Sequence, residues 1–458
     1  MKRLLCLALT VLLLIAACSC KGNKPTEAYL DGVLISEYTI VHSENASDYV
    51  KRAAEYLHDQ IYERTRHELE IVTDDTSPTA HEIVVGETTR AISAHLSVNT
   101  TGVQIAVLAR DGSVALEAQS FAIAAAAYYF IDTYVPGGNF DSTLPTEIVV
   151  REPVVEAARS VILLIGDGMG EQHTRLFDYM EDTSDFSDGE DLFYGYLLPY
   201  QGYARTDSLS GTTDSAAAGT ALATGYKTYN RYIGVDGEGQ DLCSLTELFL
   251  SLGKSAAVMS TESDTGATPA TFSAHTIDRS NSAEILDDQF DLSQAGAYIK
   301  CGYDHYSARY MKNIEKNVTD ALDKMSENEN GFFLMYEEAY IDKHSSSNDM
   351  DKAFLALIRF NQVIARVMEY AFYHPDTLVL ITADHETGDL KFNPETGKLS
   401  YHSDDHTSAD VPVFAYGTGL SGFDGATVEN VQIAKTIAKL MGVEEFGDPD
   451  LPGALGAE

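Results

Sequence analysis

The sequence predicts an α/β protein: a mostly parallel central sheet with helices on both faces, preceded by a small α+β domain. Three observations carry that prediction. Val161-Ile162-Leu163-Leu164-Ile165 is a continuous apolar run, the pattern of a strand buried on both faces. Similar runs recur at residues 256–259, 332–336, 378–381 and 411–416, with helical stretches between and after them. Carboxylates, imidazoles and hydroxyls lie close beside these runs, and open α/β sheets bind ligands beyond the carboxyl ends of their strands.

The 458 residues leave room for two or three domains. Residues 1–17 read as an export signal. Met1-Lys2-Arg3 is a basic start, and residues 4–17 form an apolar segment too short to span a bilayer comfortably. Ile15-Ala16-Ala17-Cys18 resembles the bacterial lipobox, which implies lipid on Cys18 and an anchor outside the cytoplasm, in the periplasm or at the cell surface. The alternative is a plain secretory signal cut near Ala17. Residues 18–26 read as a tether. Cys20, Cys243 and Cys301 remain, without zinc-knuckle spacing, and a Cys243–Cys301 disulfide stays open.

Residues 27–152 read as a separate accessory domain. Strands are expected at 37–41, 69–72 and 82–85. A helix is expected over 46–65, where Val50, Ala53, Ala54, Leu57 and Ile61 recur at three-and-four spacing. Arg110-Asp111-Gly112-Ser113 between two apolar runs is a hairpin signal, and a second helix over 120–134 stops at Pro136-Gly137-Gly138. The pattern loosely resembles the small α+β domain that precedes the catalytic domain of some bacterial glycosidases. Residue types that carry catalysis do not cluster here.

Residues 153–458 read as the catalytic domain, with further helices expected over 349–373 and 430–441. In Thr212–Gly225, small helix-favouring residues follow Asp214-Ser215. That puts Ser215 at or near a helix N-terminus, where unpaired N–H groups suit a phosphate oxygen or an alkoxide. Gly166-Asp167-Gly168 ends the first apolar run, Glu337-Glu338 the third and Asp384-His385-Glu386 the fourth. Thr268 lies beyond the second run, Asp342 beyond the third, and His406 precedes the fifth. Carboxylate with histidine suits zinc, and all-oxygen sets suit magnesium.

These segments resemble the alkaline phosphatase family, in order and at compatible spacing over roughly residues 158–445. The motifs that carry the resemblance are Ile165-Gly166-Asp167-Gly168-Met169-Gly170, Thr213-Asp214-Ser215-Ala216-Ala217-Ala218, Ala221-Leu222-Ala223-Thr224-Gly225, Lys227-Thr228-Tyr229-Asn230, Ala267-Thr268-Pro269, Thr382-Ala383-Asp384-His385-Glu386-Thr387-Gly388 and His406-Thr407. The resemblance implies two zinc sites and a magnesium site. Asp167 would be shared between one zinc and the magnesium. Asp384 and His385 would complete that zinc, Asp342 and His406 would belong to the other, and Thr268 and Glu337 to the magnesium. It implies that Ser215 is the phosphorylated nucleophile, Arg279 the phosphate grip, and Lys343 a lysine near the phosphate. In the implied mechanism Ser215 attacks phosphorus in line and the phosphoserine is then hydrolysed.

Two positions depart from the family pattern. Ser346 stands where a histidine zinc ligand is expected, which leaves His344 or Ser346 open as the remaining ligand and the first zinc site weak, altered or empty; His402 is a further candidate imidazole. Gly266 stands where members carry Asp or His beside the magnesium. The expected activity is hydrolysis of small phosphate monoesters outside the cytoplasm. A diesterase of the same superfamily and a phosphate- or metal-binding lipoprotein without turnover are the alternatives. A formal charge of −39 argues against nucleic-acid binding, and a homodimer is an assembly the resemblance allows.

Overall fold

The computed structural model describes residues 24–96, 102–153, 157–180, 192–302 and 308–455. The signal, Cys18, Cys20 and the start of the tether lie outside the described residues. The described chain divides into two compact units. One is drawn from residues before 101 together with 105–118 and 123–151; the other from residue 152 onward together with 101–104 and 119–122.

In the first unit a six-stranded sheet runs in the order Ile71–Thr73, Thr39–His42, Glu82–Val85, Ser113–Ala118, Ile105–Arg110 and Val149–Arg151. The helix Asp48–Thr65 starts where the Ser47 side chain accepts from Val50 N, and buries Ala53, Ala54, Leu57 and Ile61. The hairpin expected at 110–113 is present: Arg110 pairs with Ser113, and Asp111 and Gly112 both take positive φ, as a two-residue turn between twisted strands requires. The helix expected from residue 120 begins instead with a 3-10 turn, Ser120–Ala122, before Ile123–Tyr134.

The second unit is built on an eight-stranded sheet. In chain order its strands are β1 (Ser160–Gly166), β2 (Tyr200–Arg205), β3 (Ser255–Ser260), β4 (Tyr298–Cys301), β5 (Phe332–Glu338), β6 (Thr377–Thr382), β7 (Val411–Tyr416) and β8 (Thr427–Glu429). They lie in the order β4-β3-β5-β1-β6-β7-β2-β8. From β4 across to β6 every pairing is parallel. β7 runs antiparallel to both its neighbours, β6 and β2, so it alone is reversed within this sheet. β2, β4 and β8 were not foreseen: β4 and β8 are short edge strands, and β2 mixes polar with small and aromatic residues, so none carries a continuous apolar run.

Every residue of β1 is buried. Each of its Ile and Leu side chains contributes about 1.5–3 kcal/mol relative to exposure, which fixes the strand and the loop that follows it. Among the helices that position the site are α1 (Ser215–Thr224), α2 (Tyr340–Ser345) and α3 (Met350–Tyr373). α3 lies against β1 and β6 with Leu357, Ile364 and Met368 buried. Cys243 and Cys301 are both free thiols, so the disulfide left open by the sequence does not form. Among the described residues no helix is long and apolar enough to cross a membrane.

Candidate active site

Parallel strands deliver their following residues to one rim, and three neighbours do so here. Ile165 of β1 is in register with Glu337 of β5 and with Thr382 of β6. Asp167, Glu337 and Asp384 therefore leave adjacent strands at the same end. The reversal of β7 brings in a fourth group: the chain enters β7 at this rim, so His406, just ahead of it, stands there too.

Two groups of side chains could each hold a metal ion: Asp167 with Asp384 and His385, and Asp342 with His385 and His406. His385 joins them. Its Nε2 lies 3.4 Å from Asp167 Oδ1, 3.3 Å from Asp384 Oδ2 and 3.2 Å from Ser215 Oγ. The His385 and His406 rings stack with centroids 3.6 Å apart. Gly168 makes the crowding feasible. It has a φ of 74°, and a Cβ there would meet Thr387 Oγ1 at 2.8 Å and Asp342 Cα at 2.9 Å.

Ser215 is the first residue of α1. Asp214 caps the helix, its carboxylate accepting from Ala217 N at 3.0 Å, and Gly225 closes the other end in the left-handed conformation. The same carboxylate accepts from Arg279 Nη1 at 3.2 Å and from Arg231 N at 3.1 Å. Arg279 is thereby tied to the residue beside Ser215, with about a third of its side chain exposed.

The acidic side fits a cation. Asp167 Oδ1, Asp384 Oδ2, Thr268 Oγ1 and Glu337 Oε1 are buried without a hydrogen-bond partner. Such atoms are costly to leave unsatisfied, and a metal ion satisfies them. Burial, then the charge of Asp384, drives Asp167 well above the usual carboxylate range. Burial, then Glu262, lifts Glu337 to about 8. The neighbouring Glu338 differs because alternate strand residues face opposite ways: its Oε1 accepts from Arg359 of α3 at 3.1 Å, an ion pair within the core.

The other side is balanced. Asp342 Oδ1 lies 3.5 Å from His406 Nε2 and accepts from Thr387 Oγ1 at 2.6 Å. Burial would raise Asp342, but His406, His385 and Thr387 together outweigh it and hold the carboxylate low. His406 is held up at about 9, because Asp342 overrides the effect of burial. Burial keeps His385 below its ordinary value.

Of the sequence-predicted metal residues, Asp167, Asp342, Asp384, His385 and His406 fall within the two groups; Glu337, at the end of β5, and Thr268, in the short helix Ala267–Thr271, fall in neither. His344 is buried in α2 with its ring 5.6 Å from that of Tyr340, and it joins neither group. Ser346 follows α2, and its N–H donates to the Asp342 carbonyl at 2.8 Å. His402 is exposed and lies 3.1 Å from Ser400 Oγ. Lys343 donates to Glu262 Oε1 at 2.6 Å. The sequence reading missed Glu262, Thr387 and Asp214 as partners. Thr387 lies in the Thr382–Gly388 motif, two residues after His385, so it was legible; Glu262 sits in a loop with no pattern to mark it.

Comparison with known proteins places these features in context. The alkaline phosphatase family model matches residues 158–313 and 305–397. Alkaline phosphatase 3 of Bacillus subtilis is 29% identical over 348 residues, covering 63% of this chain and 75% of that one. The Escherichia coli alkaline phosphatase is 24% identical over 419 residues, covering 65% and 89%. Among solved structures, alkaline phosphatase from the Antarctic bacterium TAB5 superposes with a TM-score of 0.56 at 23% identity, over 64% of this chain and 100% of that one. A histidine-to-glutamate variant of that enzyme was solved with Mg bound in its M3 site.

Proposed function

Because the chain belongs to the alkaline phosphatase family and is a metal-dependent phosphoric monoester hydrolase, we propose that it works through a phosphoserine on Ser215, outside the cytoplasm. The observation that carries this reading is Ser215 Oγ, 3.2 Å from the His385 imidazole that links both metal-candidate groups, at the head of a capped helix. Asp167, Asp384 and His385 would hold one zinc, Asp342 and His406 the other, and Asp167, Thr268 and Glu337 a magnesium. Bound there, such ions supply Lewis-acid chemistry: a lower pKa for the Ser215 hydroxyl and neutralised charge on the leaving oxygen. The magnesium accords with the Mg in the TAB5 enzyme variant.

The chain's own residues do the rest. Ser215 Oγ bonds to phosphorus as the bond to the ester oxygen breaks, and water then cleaves the phosphoserine and frees inorganic phosphate. The first-turn N–H groups of α1 face developing negative charge. Arg279, steadied by Asp214, offers a planar fork to two phosphoryl oxygens. Its charge and bulk occupy the space a diester's second substituent would need, which favours monoesters.

Ser215→Ala should cut hydrolysis of p-nitrophenyl phosphate by on the order of 10³-fold or more and abolish the acid-trapped phosphoryl adduct in the mass spectrum. An adduct on another residue, or diesters cleaved much faster than monoesters, overturns the reading. Export and lipid on Cys18 rest on Ile15-Ala16-Ala17-Cys18. Mass spectrometry of the detergent-extracted protein should find a diacylglyceryl group at Cys18; an unmodified N-terminus further along sinks that part.

A further inference from the structure

Position 266 leaves a gap in the acidic rim. Gly266 caps the short helix Ala267–Thr271, which carries Thr268. A Cβ built on Gly266 would lie within 2.5 Å of Glu262 Cγ and Cδ. The side chain of Glu262 thus fills the room that a residue at 266 would need.

Glu262 is held there from several directions. Its Oε1 accepts from Lys343 Nζ at 2.6 Å, and its carbonyl accepts from Gly302 N at 2.5 Å. Its backbone N–H donates to Ser260 Oγ at 2.9 Å, and that same hydroxyl donates to Glu337 Oε2. One serine therefore couples the backbone at 262 to the carboxylate at 337. Glu337 and Thr268 are fully buried, and Glu337 Oε1 and Thr268 Oγ1 are left without hydrogen-bond partners. Both are hard oxygen atoms, suited to a magnesium ion that keeps part of its water shell.

We propose that Glu262 is the positioning residue of this third cation site: it replaces the side chain absent at 266 and, with Lys343 as its counter-ion, sets the site's affinity for Mg²⁺. The inference rests on the reading of Asp167, Thr268 and Glu337 as that site. Outer carboxylates of this kind orient a metal's ligands and waters, and their loss typically weakens binding about 10- to 100-fold. The pairing also gives Lys343 a role as a tether for Glu262.

The test is Mg²⁺ titration by calorimetry of the full chain, stripped of metal and reloaded with zinc. Glu262→Gln fills the same space without the charge and should weaken Mg²⁺ binding about 10- to 100-fold. Returning the carboxylate to 266, as Glu262→Ala with Gly266→Asp, should recover about tenfold or more over Glu262→Ala alone. Unchanged affinity in Glu262→Gln, or no recovery in the double variant, overturns the proposal. Glu337→Gln separates the two layers. If it abolishes Mg²⁺ binding while Glu262→Gln does not, only the role of Glu262 fails. If the parent binds no Mg²⁺, or Glu337→Gln leaves binding intact, the underlying site reading fails and the proposal with it.

Discussion

The two halves of the rim, joined at His385, solve opposite electrostatic problems. Around Asp167, Asp384 and Glu337, carboxylates are gathered without a cation to pair each of them, and buried oxygens are left bare. Around Asp342, a single carboxylate meets His406 and Thr387 and is satisfied by them. The first half is incomplete without metal, and the second is already close to neutral. Metal therefore relieves strain in one half and must displace a proton from an existing pair in the other. Absence of an imidazole at Ser346 deepens that asymmetry, since the second half has fewer ligands to offer in return.

The comparison breaks most severely at its joint. His385→Ala removes a ligand of the Asp167–Asp384 zinc and leaves Asp342 and His406 in place, so zinc affinity should fall by about 100-fold or more in the first half and far less in the second, read by titration with a chromophoric chelator. An equal loss at both halves would show that His385 serves both ions.

Next come two isosteric changes of opposite sign in metal-free protein. Glu337→Gln removes a buried acid that must take up a proton on folding and should stabilise the chain at neutral pH by about 1–3 kcal/mol. Asp342→Asn breaks a satisfied pair and should destabilise it by a similar amount, about 1–3 kcal/mol. Denaturant unfolding in the presence of a chelator measures both, and shifts of the same sign would erase the distinction between the halves.

Ser346→His supplies an imidazole beside Asp342 and should raise zinc affinity there about tenfold, roughly what one additional well-placed group brings. Metal content by mass spectrometry after dialysis against limiting zinc reads it. No gain would mean that residue 346 does not face the ion.

The same distinction can be read from pH without any substitution. Glu337 keeps its proton up to about 8 when folded, against 4.5 unfolded, so the folded chain binds more protons across that window and stability falls as pH rises through it. His406 is held up at about 9 against 6.5, so its contribution is full below 6.5 and is lost as pH rises through about 9. Both groups predict a metal-free melting temperature that drops between pH 5 and 9, at roughly 1–2 °C per kcal/mol for the larger unit. Zinc and magnesium should flatten the slope; a metal-free protein that melts higher at pH 9 contradicts both assignments.

By itself the sequence determined what is local. Apolar runs mark β1, β5 and β6 because a strand buried on both faces needs them, and Asp214-Ser215 before small residues marks the head of α1. Motif spacing was enough to name Asp167, Ser215, Asp384 and His385. Tertiary structure alone decided what depends on direction and through-space contact. His406 reaches the rim because β7 is reversed, and a run of apolar residues carries no sign of which way its strand points. Glu337 faces the site while Glu338 pairs with Arg359, a choice set by which neighbour each face of β5 meets. Glu262 stands against Gly266 because a loop folds back on itself, and glycine, having no side chain, leaves no trace in the sequence of what fills its space.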